Sequence, residues 1–240
     1  PGLHESEMHA ILAEFELPYH FTGEVEKDAD KIPAEITEKD ISSRRDFRSI
    51  PTFTIDPADA RDFDDALSLK QLENGNCEVG IHIADVTHYV RPDSLTEEEA
   101  KQRATSVYLV DRVVPMLPER LSNHICSLNP GEDKLTYSAV FELNDKAEVL
   151  AEWFGRTIIN SNKQFSYKEA QEVIDTGEGA MKEQVLVLHK LAQLLRAKRF
   201  SAGAFAFEKI EVKFDLDETG KPLAIKFREM GTANQLIEEF

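Results

Sequence analysis

Short stretches of this chain alternate apolar and polar residues, as strands with one buried face do. Val79, Ile81 and Ile83 are separated by single residues, so their side chains point to the same side of an extended segment. Residues 66–73 and 77–84 flank Asn74-Gly75, a dipeptide that favours a tight hairpin turn. The same pattern predicts further strands at 53–55, 135–143, 149–159, 205–214 and 223–227, the last two as a hairpin that turns near Gly220.

Other stretches have apolar residues at helical spacing. This spacing predicts one helix at 4–15, ended by Pro18, and a long one at 180–200. Capping boxes at 96–99 and 166–169 predict two more N-termini, and Pro118 fits the first turn of a helix that extends to about Ser127. Hairpins mixed with helices indicate an α+β fold with a mainly antiparallel or mixed sheet and flanking helices.

Composition limits the classes of protein to consider. No apolar run approaches the roughly 20 residues that span a bilayer, so we expect no membrane segment. The two cysteines, Cys77 and Cys126, lack the spacing of a metal site, and a cytoplasmic location fits best. The formal net charge of −17 argues against a simple basic nucleic-acid-binding surface. Any function on RNA must therefore depend on a specific site or on further basic domains.

Five carboxylates occupy ten residues between two predicted strands: Asp56, Asp59, Asp62, Asp64 and Asp65. Like charges held this close raise one another's pKa, so a fold that gathers them usually places a cation among them. Hard oxygen ligands suit Mg²⁺ or Mn²⁺. Two other interpretations stay open at this point, namely a solvated acidic loop and a calcium loop. An EF-hand register beginning at Asp62 fails, because Leu67 occupies its obligatory glycine position.

Phosphoryl transfer is the chemistry that uses several carboxylates with divalent metal. The stretch Thr54-Ile-Asp-Pro-Ala-Asp-Ala-Arg-Asp-Phe-Asp-Asp-Ala66 also resembles the signature of the RNB catalytic domain, found in ribonuclease II, ribonuclease R and Dis3. The resemblance continues through residues 80–90, 104–108, 113–118, 121–123 and 126–130, and ribonuclease R is the most similar member. It covers residues 45–240 well and 1–44 more loosely.

The resemblance implies a hydrolytic 3′→5′ exoribonuclease that acts on single-stranded RNA and releases nucleoside 5′-monophosphates. It implies that Asp56 and Asp65 hold Mg²⁺, with Mn²⁺ as a possible substitute, and that Asp62 and Asp64 complete the metal cluster as catalytic residues. It also implies that Tyr108 stacks on the 3′-terminal base. Phe207 matches a second stacking ring less closely, so a core position is an equal alternative for it.

The resemblance further predicts the organisation of the chain. Residues 1–50 are expected to form an N-terminal connector with one helix, and 51–240 the N-terminal part of the RNB domain. The family's OB-fold domains are not recognised here, and its late catalytic arginine would lie beyond Phe240. This piece is therefore expected to be weakly active or inactive, and the full-length form to be monomeric.

Five further side chains have a structural and a functional interpretation. His82 and His88 are expected to be structural, because their spacing is no zinc pattern. The arginines at 44, 45 and 48 could line an RNA path, although an ion-paired face is the commoner role. Two other functions compete with the nuclease: a catalytically dead RNB-like RNA-binding or scaffold module, and an unrelated phosphohydrolase of small substrates.

Overall fold

The computed structural model describes residues 4–205, 211–217, 222–228 and 230–240. Within them the α-helices are α1 (His4–Glu14), α2 (Gly23–Asp30), α3 (Glu38–Ser42), α4 (Val86–Tyr89), α5 (Leu95–Arg103), α6 (Tyr167–Thr176), α7 (Lys182–Ser201) and α8 (Thr232–Glu239). The strands are β1 (Arg45–Asp46), β2 (Thr52–Asp56), β3 (Asp65–Gln71), β4 (Cys77–Ala84), β5 (Val107–Tyr108), β6 (Val113–Val114), β7 (Asp133–Leu143), β8 (Val149–Asn160), β9 (Lys163–Ser166), β10 (Glu211–Leu216) and β11 (Pro222–Arg228). No helix among the described residues is long and apolar enough to cross a membrane.

The chain divides into two compact units. One is drawn from the described parts of Pro1–Pro33, Tyr89–Leu121 and Glu208–Glu229, and contains α1, α2, α5 and the two-stranded antiparallel ribbons β5–β6 and β10–β11. The other is drawn from Ala34–His88, Ser122–Phe207 and Met230–Phe240, and contains the large sheet with α3, α6, α7 and α8.

The large sheet has seven strands in the order β1-β8-β7-β4-β3-β2-β9. Its central pairs are antiparallel, whereas β1 pairs with β8 and β9 pairs with β2 in parallel. The expected α+β class with a mixed, mainly antiparallel sheet and flanking helices is therefore confirmed.

One face of this sheet packs against α6, α7 and α8. The fully buried core there includes Phe53, Phe165, Val79, Val185, Leu188 and Leu236. Phe53 and Phe165, on neighbouring parallel strands, meet edge to face with ring centroids 5.5 Å apart. Burial of such large apolar side chains is the main favourable contribution to folding, so this core holds the strands that carry the acidic segment.

The opposite face is polar where β3, β4 and β7 run side by side. His82 is fully buried, and its two ring nitrogens lie 2.6 Å from Ser138 Oγ and 2.8 Å from Ser68 Oγ. Burial lowers the pKa of His82 to about 3, so the ring is neutral at physiological pH. A residue larger than glycine at position 80 would displace this serine, because an added Cβ would lie 2.5 Å from Ser68 Oγ. The structural role expected of His82 is confirmed.

Several predicted elements are corrected. The N-terminal region contains the three helices α1, α2 and α3 rather than one, because Thr22 and Thr37 cap two short polar helices that lack a long apolar repeat. The N-cap of α5 is Ser94 rather than Thr96. In place of a regular helix after Pro118, residues Arg120–Ile125 form one wider π-helical turn. The predicted turn near Gly220 lies outside the described residues.

Candidate metal centre

The acidic segment connects β2 to β3 at one end of the large sheet. Asp56 is the last residue of β2, and Asp65 is the first of β3. These two strands pair at Thr52–Phe53, so the loop 57–64 leaves and returns at neighbouring positions. In the parallel ladder with β9, Asp56 stands beside Ser166, the N-cap of α6. The sheet therefore fixes the two outer aspartates, and the loop carries Asp62 and Asp64 between them.

Asp56 is the most unusual side chain of this segment. The residue is only 9% exposed, and its Oδ2 atom is buried without a hydrogen-bond partner. Burial, followed by repulsion from Asp65, Asp62 and Asp64, raises the pKa of Asp56 to about 6. A buried carboxylate oxygen without a partner is costly, and a cation is the partner that would offset both the burial and the repulsion.

The neighbouring aspartates have the same electrostatic character. Although Asp64 is open to solvent, desolvation by the surrounding protein and then repulsion from Asp62 and Asp65 raise its pKa to about 6. Burial raises the pKa of Asp65 as well. Asp59 is exposed and is not among the main causes of these shifts. Repulsion thus links all four aspartates predicted to bind metal, through the raised pKa values of Asp56 and Asp64.

The donor set fits a hard divalent cation. Carboxylate oxygens are the ligands that Mg²⁺ and Mn²⁺ prefer, and the unpartnered Oδ2 of Asp56 is available as one of them. Among the described residues, however, no group of three or more His, Cys, Asp or Glu side chains is arranged so that it could hold a metal ion as it stands. The structure thus brings the predicted ligands into one region, and their assignment as ligands is a proposal.

A buried ion pair lies at the end of the sheet that carries the acidic segment. Arg44 Nη2 lies 2.6 Å from Asp85 Oδ2, and both side chains are 2% exposed. Burial alone would raise the pKa of Asp85, but hydrogen bonds from Arg44 and Thr87 outweigh it, and the pKa is lowered. The residue before Asp85, Ala84, donates its backbone N–H to the carbonyl of Asp64 at 2.9 Å. Sequence reasoning missed this pair, because its members are 41 residues apart.

The three arginines before β2 are all ion-paired. Arg45 contacts Glu78 at 2.6 Å, and Arg48 contacts Asp46 at 2.6 Å and Asp133 at 3.0 Å. With Arg44 buried against Asp85, the interpretation as an ion-paired face is confirmed for Arg45 and Arg48, whereas Arg44 is an interior residue.

The aromatic residues predicted to bind RNA have different outcomes. Tyr108 lies on β5 in the β5–β6 ribbon, and 66% of its surface is exposed, as a stacking ring requires. The ribbon is closed by the hydrogen bond from Leu109 N to Arg112 O. Phe207 lies outside the described residues. RNA contact by either ring stays a prediction.

Comparison with known proteins assigns the family. The sequence model of the RNB domain family matches residues 44–240, which include the acidic segment, Tyr108 and Phe207. The chain belongs to the RNB family. It is 42% identical over 236 residues to ribonuclease R 1 of Lactococcus lactis, covering 96% of this chain and 29% of that protein. It is 38% identical over 245 residues to the human exosome complex exonuclease RRP44, covering 100% of this chain and 25% of that protein.

The fold of this RNB chain is also similar to solved structures. The structure of Mycoplasma genitalium RNase R in complex with ribose-methylated single-stranded RNA superimposes with a TM-score of 0.89 at 26% identity. The match covers 97% of this chain and 37% of that one. Because this chain spans less than a third of the curated relatives named above, the activity of a whole protein that contains it is a matter for proposal.

Proposed function

We propose that this chain carries the metal-binding part of the active site of a hydrolytic 3′→5′ exoribonuclease that degrades single-stranded RNA. The observation that carries the proposal is the group of four aspartates around Asp56, whose raised pKa and unpartnered Oδ2 call for a cation. Membership of the RNB family supports the same class of reaction, and the relatives are named as exonucleases or ribonucleases.

In this proposal the aspartates have two tasks. Asp56 and Asp65, fixed by the ends of two strands, would hold Mg²⁺ against the scissile phosphate, and Mn²⁺ could replace it. The bound ion would offset the charge that develops on the phosphate and help to ionise the attacking water. Asp62 and Asp64, carried by the loop, complete the ligand set. From this position the Asp64 carboxylate would orient that water. Hydrolysis would release a nucleoside 5′-monophosphate.

Substrate binding in this proposal relies on stacking rather than on base-specific hydrogen bonds. The exposed ring of Tyr108 would stack on the 3′-terminal base, with Phe207 as a second ring. Every base has an aromatic face, so stacking tolerates any sequence, as a general RNA-degrading enzyme requires.

A catalytically dead RNB-like module that binds RNA or serves as a scaffold is the alternative. Such a module has no need to keep a costly group of carboxylates, yet all four predicted ligands are present. A phosphohydrolase of small substrates would also use the aspartates, but it gives no role to the exposed Tyr108.

The test uses the full-length protein and single-stranded RNA labelled at its 5′ end. With Mg²⁺ present, we expect the RNA to shorten from its 3′ end and mononucleotides to accumulate. Asp64→Asn should lower the rate by at least about 100-fold, since it removes a charged metal ligand that also positions the attacking water. Asp145→Asn, in the exposed turn between β7 and β8, is the matched control and should leave the rate unchanged.

Each alternative predicts a different result. RNA that is bound but never shortened by the wild-type protein would favour the dead module. Hydrolysis of small phosphate esters without any dependence on RNA would favour the small-substrate enzyme. Full activity in Asp64→Asn would remove Asp64 from the mechanism.

A further inference from the structure

The backbone around Asp62 is bracketed by a single buried hydroxyl. Ser127 Oγ accepts a hydrogen bond from the N–H of Phe63 at 3.0 Å and lies 3.0 Å from the carbonyl oxygen of Arg61, to which it donates. Ser127 is fully buried. Its one hydroxyl therefore satisfies the backbone groups on both sides of Asp62, using its donor and its acceptor capacity together.

Two further hydrogen bonds extend this attachment. Leu128 donates its N–H to the carbonyl of Phe63 at 2.8 Å, and Ala84 donates its N–H to the carbonyl of Asp64 at 2.9 Å. The side chain of Phe63, which separates Asp62 from Asp64 in the sequence, is buried. The backbone from residue 61 to 64 is thus attached to the body of the unit at four points, of which Ser127 supplies two.

The attachment matters because the two halves of the aspartate group are held differently. Asp56 and Asp65 belong to strands, whereas Asp62 and Asp64 belong to the connecting loop. Asp62 and Asp64 are separated by one residue in the segment that also carries Asp56 and Asp65, and like charges held this close repel one another. Without a cation this repulsion favours a loop that moves away from the sheet, and hydrogen bonds to its backbone oppose that movement.

We propose that Ser127 is a positioning residue that holds Asp62 and Asp64 in the arrangement that binds the divalent cation. The inference rests on the proposed function, in which these aspartates are metal ligands. Residues that orient metal ligands typically change metal affinity about 10- to 100-fold when they are replaced. The neighbouring Asn129 Oδ1, at 3.4 Å, is a poorer acceptor for the Ser127 hydroxyl than the carbonyl of Arg61, so the hydroxyl is directed at the acidic loop.

The experiment compares Ser127→Ala with Ser138→Ala in the full-length protein after removal of bound metal. Ser138 is a matched control: its hydroxyl is also buried, but it bonds to His82 and Thr157 rather than to the acidic loop. Mn²⁺ binding is measured by calorimetric titration, and hydrogen exchange of the amides at 61–65 is measured without metal. We expect Ser127→Ala to bind Mn²⁺ about tenfold more weakly or worse and to exchange the Phe63 amide faster. Ser138→Ala should keep the wild-type Mn²⁺ affinity.

The outcomes separate this inference from the proposed function. If the wild-type protein does not bind Mn²⁺, the proposed metal site is wrong and this inference is overturned with it. If the wild type binds Mn²⁺ and the affinity of Ser127→Ala is within twofold of the wild-type affinity, only the positioning role is overturned. The same holds if Ser138→Ala loses as much Mn²⁺ affinity as Ser127→Ala does. Should Ser127→Ala fail to fold, Ser127→Cys fills nearly the same space with a weaker hydrogen-bonding group. Its Mn²⁺ affinity should fall, and unchanged affinity would overturn the inference.

Discussion

At the scale of single residues, Asp56 has an unusual dependence on pH. Its carboxylate is buried beside three other carboxylates, so its pKa rises from an ordinary 3.8 to about 6 on folding. A raised carboxylate pKa favours the folded state at low pH. This contribution is complete below 3.8 and is lost as the pH rises through about 6.

We therefore expect wild-type protein without metal to lose stability relative to Asp56→Asn as the pH rises from 4.5 to 7.5. With the Asp56 pKa at about 6 in the folded protein, the loss between these two pH values is about 2 kcal/mol in the free energy of unfolding. Urea unfolding of both proteins at the two pH values measures the change. Asp145→Asn, in an exposed turn, should differ from wild type equally at both. An equal difference for Asp56→Asn at both pH values would contradict the electrostatic account.

At the scale of elements, the buried pair of Arg44 and Asp85 joins three parts of the large sheet. Arg44 Nη1 lies 3.1 Å from the carbonyl oxygen of Thr136 on β7 and 3.3 Å from that of Thr157 on β8. Its other amino group contacts Asp85, which follows β4. The pair therefore fixes the ends of strands next to the acidic loop.

Asp85→Ala should lower the free energy of unfolding by about 3–5 kcal/mol, because it leaves the buried guanidinium of Arg44 without a counter-charge. Chemical denaturation measures the loss. Glu178→Ala is the control, since it removes an exposed partner of Lys182 at 3.0 Å and should cost less than about 0.5 kcal/mol. Similar losses in the two variants would mean that burial of the Arg44–Asp85 pair has no special weight.

What the sequence predicts at this scale depends on how local the signal is. The hairpin at Asn74-Gly75 and the capping box of Ser166 and Glu169 are specified by adjacent residues, and the structure contains both. The four aspartates were predicted as ligands for the same reason, since they are close together in the sequence. The contact of Ser127 with Phe63 joins residues 64 apart, and no local pattern encodes it. A local pattern therefore predicts candidate ligands of the site, but it does not reveal the residues that hold their backbone.

At the scale of the whole molecule, charge decides how RNA can approach. The chain has 45 acidic and 28 basic residues, so its overall field repels a polyanion. Arginine side chains near the sheet already form ion pairs, Arg45 with Glu78 and Arg48 with Asp133. In the proposed function a divalent cation on the aspartates would supply the missing positive charge, and the exposed Tyr108 would supply stacking energy.

RNA binding should therefore require both the cation and the ring. We expect fluorescence anisotropy with a short labelled single strand that carries nuclease-resistant backbone linkages, checked for integrity by gel afterwards, to give at least tenfold weaker binding in EDTA than in Mg²⁺. Tyr108→Ala should weaken binding by about 1–3 kcal/mol, the usual contribution of one stacked base, whereas Tyr108→Phe should stay near wild type because it keeps the ring. Equal affinity in EDTA and Mg²⁺ would mean that the RNA binds elsewhere, on a surface whose own positive charge overcomes the net charge of −17.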